Sequence, residues 1–124
     1  MGHGLDEQAS PTSRLDLSSA KAVAATLQAL AAPSRLMILG RLHQGPATVG
    51  ELAQAVQMEQ SAVSHQLRLL RHLGLVDGER KGRTIVYSLY DNHVAELLDQ
   101  AVYHAEHLRL SAPDRPTSQP AQGG

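Results

Sequence analysis

The chain contains no cysteine, no phenylalanine and no tryptophan, and Tyr87, Tyr90 and Tyr103 are its only aromatics. The missing cysteine excludes disulfides and thiolate metal sites, and fits a cytosolic protein. Without large rings the core must be assembled from Leu, Val, Ile and Ala. No apolar run approaches the ~20 residues a membrane-spanning helix needs, and the first residues lack the apolar stretch of a signal peptide; no membrane partner is expected. The 124 residues suffice for one domain with a modest core. A net charge of −1 predicts no general affinity for polyanions, but the charge is uneven. Residues 59–90 carry five basic and three acidic side chains, net +2, whereas residues 91–124 carry two and five, net −3. A nucleic acid would bind the first of these segments.

What is present is organised around residues 59–73, EQSAVSHQLRLLRHL. Val63, Leu67, Leu70 and Leu73 recur at three- or four-residue steps, the mark of one buried helix face. The opposite face holds Gln60, Ser61, Ser64, His65, Arg68 and Arg71. Short hydrogen-bonding groups come first, where a helix reads base edges, and guanidinium groups follow, where phosphates lie. Taken alone, such a face is equally compatible with an ordinary solvated surface, so its neighbours decide. Gly74 stands where a left-handed helix cap belongs.

Upstream, residues 17–31 read as a helix with Val23, Leu27 and Leu30 as its apolar stripe. Pro33 suits the first turn of a second helix ending at His43, which Gly45 and Pro46 close. Thr48-Val49-Gly50-Glu51 is a capping-box pattern opening a short third helix to Val56. A tight turn around Gln57 and Met58 then leads into the helix at residue 59, a helix-turn-helix arrangement. Downstream, residues 75–80 and 84–90 flank Lys81-Gly82-Arg83 and alternate with the period of two that marks a β-hairpin. Its basic tip, Arg80, Lys81 and Arg83, suits phosphate contact. A basic tip is often only a soluble turn; directly behind a helix-turn-helix, a DNA-contacting wing is the better reading.

Residues 91–108 read as the last helix. Val94, Leu97, Leu98, Ala101, Val102, Ala105 and Leu108 form an apolar stripe too broad for one neighbour, which implies packing on a second subunit as well. The same helix carries Asp91, His93, His104 and His107. Each has an ordinary role, Asp91 as a helix cap and the histidines as surface groups; four nitrogen and oxygen donors at the two ends of one helix form a stronger pattern. His93 and His104 are eleven residues apart and share a side, yet lie roughly 16 Å apart along the axis. One ion with ~2 Å bonds cannot touch both within one chain. Antiparallel pairing of two copies removes the difficulty, because the 93/104 and 91/107 pairs share a midpoint at Leu98 and Asp99. Asp91 and His93 of one subunit would then meet the partner's His104 and His107, twice per dimer. Imidazole and carboxylate without sulfur suit zinc, cobalt or nickel.

The chain begins Met1-Gly2-His3-Gly4. A small second residue favours removal of Met1, and a free amine, backbone amides and an early imidazole can chelate a late transition metal. On its own, the tetrapeptide weighs toward an inert chain start.

From residue 17 to about residue 110 the sequence resembles the ArsR/SmtB family of metal-sensing winged-helix repressors, and within it a nickel- and cobalt-sensing member. The likeness rests on MGHG, on the TLQAL and PSRLMIL runs, on MEQSAVSHQLR followed by LGLV, on IVYSLYD, and on a D-x-H pattern answered by H-x-x-H in the last helix. The resemblance implies that Asp91, His93, His104 and His107 are interface metal ligands and that Gly2 and His3 add nickel ligands. It also implies that Gln60, Ser61, Ser64 and His65 lie against DNA, and that the regulated gene encodes a metal exporter. Two departures stand out. A cysteine site common in the family falls in the helix after Glu51 and Leu52, where this chain has Ala53 and Ala55. The similar nickel sensor carries histidines beyond its last helix, where this chain has Arg109 and a tail without histidine.

The expectation is therefore a mainly α protein with a β-hairpin wing: a winged helix-turn-helix, homodimeric through its terminal helices. Residues 1–15 would form a flexible arm, residues 16–110 the DNA-binding and dimerisation domain, and residues 111–124, poor in apolar groups, a disordered tail. The expected function is that of a cytoplasmic, metal-responsive repressor. It would bind double-stranded operator DNA and release it on taking up nickel or cobalt, with zinc as a further ion. The alternative is a winged-helix regulator whose histidines are structural and whose trigger is not a metal. An enzyme is not expected, since no Ser, Lys or Glu set near the ligands suggests a catalytic constellation.

Overall fold

Asp16 opens the first long helix by accepting from the Ser19 amide at 2.9 Å, while the Ser19 hydroxyl accepts from the Asp16 amide at 2.9 Å. This reciprocal capping box satisfies two donors that a helix start leaves unpaired. The helix, α1, runs Leu17–Leu30 in a computed structural model that describes residues 10–111. Ala29 and Leu30 are buried, whereas Val23 and Leu27 of the same apolar stripe stay about half exposed. At its C-terminus the Arg35 guanidinium donates to the Gln28 and Ala29 carbonyls, among the last acceptors of the helix. Pro11–Arg14, within the stretch whose composition suggests a flexible arm, forms a single 3-10 turn capped by Ser10. Helix α2, Pro33–His43, starts on proline, whose missing donor costs nothing there. The chain divides within α2 into two compact units, one ending at Leu36 and one beginning at Met37.

The second unit holds most of the core. Ile38, Leu39 and Leu42 of α2 are buried, as are Leu52 and Ala53 of α3, Val49–Val56. Thr48 and Glu51 cap α3 reciprocally, at 3.2 Å from the Glu51 amide and 2.9 Å from the Thr48 amide. Gln57 then turns the chain in the left-handed conformation, with φ 59°, and its N–H bonds the Ala53 carbonyl. Three residues separate α3 from α4, Gln60–His72, which buries Val63, Leu67 and Leu70 against the unit. Gly74, at φ 75°, ends α4 in the left-handed region where a side chain would be strained.

Strands β2, Val76–Lys81, and β3, Thr84–Leu89, form the expected hairpin, paired from Val76↔Leu89 to Lys81↔Thr84. Its loop is Gly82 and Arg83, and the positive φ of Gly82 suits a two-residue hairpin turn. A further strand, absent from the sequence reading, is β1, Ala47–Thr48, which pairs with β3 to give the order β1-β3-β2. Two residues carry too little alternation to announce a strand. Helix α5, Asn92–Ser111, contacts β3 and buries Val94 and Leu98 of its first turns. Residues 99–110 are all exposed. Of the stripe read from the sequence, Leu97, Ala101, Val102, Ala105 and Leu108 are therefore uncovered within one chain.

Candidate DNA-reading face and split metal-ligand set

The buried side of α4 is set by Val63, Leu67 and Leu70, so the residues between them are turned outward. Gln60, Ser61, His65, Arg68 and Arg71 are exposed and Ser64 is half-buried. No side chain caps the N-terminus of α4, since Glu59 makes no capping hydrogen bond. Its first amides are thus presented at the end where an anion is favoured. His65, Arg68, Leu69 and His72 line a shallow hollow of about 370 Å³ on this face. His72 and Leu69 were not singled out in the sequence, although a step of seven residues from His65 places His72 two turns along the same stripe. The wing tip is equally open: Arg80, Lys81 and Arg83 are all exposed. Thr84 donates from its hydroxyl to the Lys81 carbonyl at 3.0 Å and holds the tip closed.

The four donors of the last helix fall into two groups. At its start Asp91 acts as a cap, accepting from the Val94 amide at 3.1 Å. Its other oxygen lies 3.3 Å from His93 Nδ1. Desolvation pushes the Asp91 carboxyl upward, but the Val94 amide and the His93 ring outweigh it and hold the group below its usual range. With Nδ1 beside a carboxylate, Nε2 is the ring nitrogen left for a metal, an arrangement that suits a metal-binding imidazole. His93 is 89% exposed. At the far end His104 and His107 are both exposed, and the His107 ring stacks on Tyr103 with centroids 6.4 Å apart. Among the described residues no three His, Asp or Glu side chains gather closely enough to hold one ion. One chain brings Asp91 to His93 and His104 near His107, and leaves the pairs at opposite ends of α5. The donor chemistry fits a borderline divalent ion; a complete set needs both halves. Gly2 and His3 lie outside the described residues.

A helix-turn-helix with its second helix outward and a basic hairpin behind it defines a winged-helix DNA-binding regulator. Residues 32–77 match the family described as bacterial regulatory protein, arsR family. The chain is 64% identical over 115 residues to the HTH-type transcriptional regulator NmtR of Mycobacterium tuberculosis, covering 93% of this chain and 96% of that protein. The solution structure of apo-NmtR matches with a TM-score of 0.68 at 62% identity, over 93% of this chain and 92% of that one. A transcriptional repressor SmtB homolog of Synechocystis sp. is 43% identical over 97 residues, 78% of this chain and 71% of its own length. A homodimeric winged helix-turn-helix DNA-binding domain from Mycobacterium bovis matches with a TM-score of 0.71 at 31% identity, over 82% and 95%. The chain belongs to the ArsR family of transcriptional regulators.

Proposed function

We propose that this protein is a homodimeric, metal-responsive repressor that binds double-stranded operator DNA and releases it when nickel or cobalt, or in second place zinc, binds between its subunits. The observation that carries the reading is on α5. Its distal half is bare, with Val102, Leu108 and Leu110 each at least half exposed, and its donors sit in two half-sets at either end. A second copy laid antiparallel covers the apolar surface and completes two sites, each with Asp91 and His93 from one subunit and His104 and His107 from the other. The exposed stripe of α1, Val23 and Leu27, supplies the other dimer surface. Asp91, His93, His104 and His107 would hold the ion, which would supply a positive charge shared by donors of both subunits; the protein's own residues set where the two α5 helices lie.

On the DNA side, Gln60, Ser61, Ser64 and His65 meet base edges in the major groove, while Arg68 and Arg71 neutralise phosphates beside it. Arg80, Lys81 and Arg83 hold the backbone from the wing. Two such faces reach half-sites about 34 Å apart, so a dimer-bridging ion that changes their spacing changes operator affinity. Couplings of this kind are typically ~1–3 kcal/mol, about 5- to 150-fold. Gly2 and His3 add ligands for nickel, an ion that takes higher coordination than tetrahedral zinc. The protein works in the cytoplasm, where its DNA is, and is not an enzyme. No single helix among the described residues is long and apolar enough to cross a membrane.

The test is operator binding with nickel, cobalt and zinc added in turn, beside a chain lacking Gly2 and His3. Nickel and cobalt are expected to lower operator affinity, and the truncation to weaken the nickel response more than the zinc response. Operator affinity indifferent to all three ions would point to a non-metal trigger.

A further inference from the structure

Asp99 belongs neither to the DNA-reading residues nor to either half-set of ligands, yet it makes a long-range contact. Its Oδ1 lies 2.9 Å from Nε2 of His43, fifty-six residues earlier. His43 is the last residue of α2, and Asp99 lies at the centre of α5, where the ligand pairs share their midpoint. From the geometry we infer that His43 and Asp99 are positioning residues of the metal response, tying the middle of α5 to the segment that sets the helix-turn-helix. The inference rests on the proposed metal-bridged dimer and adds the route by which α5 acts on the DNA face.

The route is short and stiff. After His43, the Gln44 amide bonds the Arg41 carbonyl at 3.0 Å and the Gly45 amide bonds that of Leu42 at 3.1 Å. Arg41 Nη1 donates to the Gly45 carbonyl at 3.0 Å, so three hydrogen bonds brace the turn. Two residues later comes β1, pinned to β3 through Ala47↔Tyr87 and Thr48↔Val86. Thr48 is also the cap of α3, and α3 leads through Gln57 into α4. A shift of α5 imposed by ions at its two ends thus reaches the start of the helix-turn-helix through one side-chain pair and five residues of chain. Coupling through such a contiguous network needs a contact that holds in one dimer shape and loosens in the other. The pair is suited to that: the His43 and Asp99 side chains are 35% and 68% exposed. A bond of that exposure is weak enough to be given up within the energy of a typical allosteric coupling.

The experiment uses the full-length dimer and four proteins: the parent, His43→Ala, Asp99→Ala and the double variant. Each is titrated with operator DNA with and without nickel, and with nickel with and without operator. In the parent, the ratio of operator affinities without and with nickel measures the coupling. Each single variant is expected to lower that ratio about 1.5- to fivefold, the worth of one exposed charged pair, with metal-free operator affinity unchanged within that same range. By reciprocity, nickel affinity of the operator complex, relative to that of the free dimer, rises by the same factor. The double variant is expected to match the singles, since either change removes the whole contact. An undiminished ratio in both singles, or losses that add in the double, would overturn the inference. So would loss of metal-free operator binding, which would make the pair merely structural. Nickel having no effect on the parent's operator affinity would instead defeat the metal-response reading.

Discussion

The proposed sharing of each metal site between subunits rests on the length of α5 and can be tested by complementation. His93 and His104 lie eleven residues apart on one helix, which at 1.5 Å per residue is roughly 16 Å. An ion with ~2 Å bonds holds its donor atoms only about 4 Å apart, and two imidazoles that project outward from a helix, rather than along its axis, do not converge to that separation across three turns. One variant would carry Asp91→Ala and His93→Ala, and another His104→Ala and His107→Ala. Neither homodimer is expected to bind metal tightly, since every site would keep half its donors. In a heterodimer isolated with two affinity tags, one site receives Asp91 and His93 from the second variant and His104 and His107 from the first, and is complete. The other site has lost all four. Equilibrium dialysis or nickel absorption titration is expected to give one tight ion per heterodimer against two for the parent dimer. A well-folded heterodimer with no tight ion would refute the shared site, and tight binding by either homodimer would refute the ligand assignment.

Other consequences are open to direct measurement. His65→Ala is expected to cost ~1–3 kcal/mol on operator and much less on random DNA, whereas Arg83→Ala weakens both alike and flattens the salt dependence by about one log–log unit per lost phosphate contact; equal losses on both DNAs for His65→Ala would remove it from base reading. In the wing, a Cβ added at Gly78 would lie 3.0 Å from Tyr87 Cε1 and 3.1 Å from Ile85 Cγ2. Gly78→Ala is therefore expected to destabilise by about 1–2 kcal/mol, read from urea midpoints, and unchanged stability would contradict that crowding. His43 offers a pH signature. A backbone hydrogen bond raises its imidazole above the ordinary 6.5, burial opposes this, and the Asp99 charge and hydrogen bond add to it. Because the folded value is the higher, the stabilisation is complete below the unfolded pKa and fades as pH rises through the folded one. The stability gap between the parent and His43→Gln is expected to be widest in mild acid and to narrow above neutrality; a constant gap would show that His43 titrates alike in both states.

The sequence by itself determined the elements whose causes lie within about four residues. The Thr48 and Glu51 capping box, the apolar repeat of Val63, Leu67 and Leu70, the Gly74 stop, the Gly82 turn and the Asp91 cap are all local hydrogen-bond or steric preferences. They appear at the positions their spacing implies. The placing of Asp91 and His93 at one end of α5 and of His104 and His107 at the other was legible for the same reason, since helical rise converts residue spacing directly into distance. Tertiary structure decided what depends on partners distant in the chain. Ala47 and Thr48 become a strand because β3 offers them hydrogen bonds some forty residues later. A side chain at Gly78 would crowd Tyr87 and Ile85, which only strand pairing brings alongside it. Leu69 and His72 join His65 and Arg68 in one hollow only once the other side of α4 is buried. Above all, His43 meets Asp99 across fifty-six residues. Neither residue carries a local sign of the other, because a pairwise contact between elements leaves no periodicity in either one and emerges only when the chain is packed.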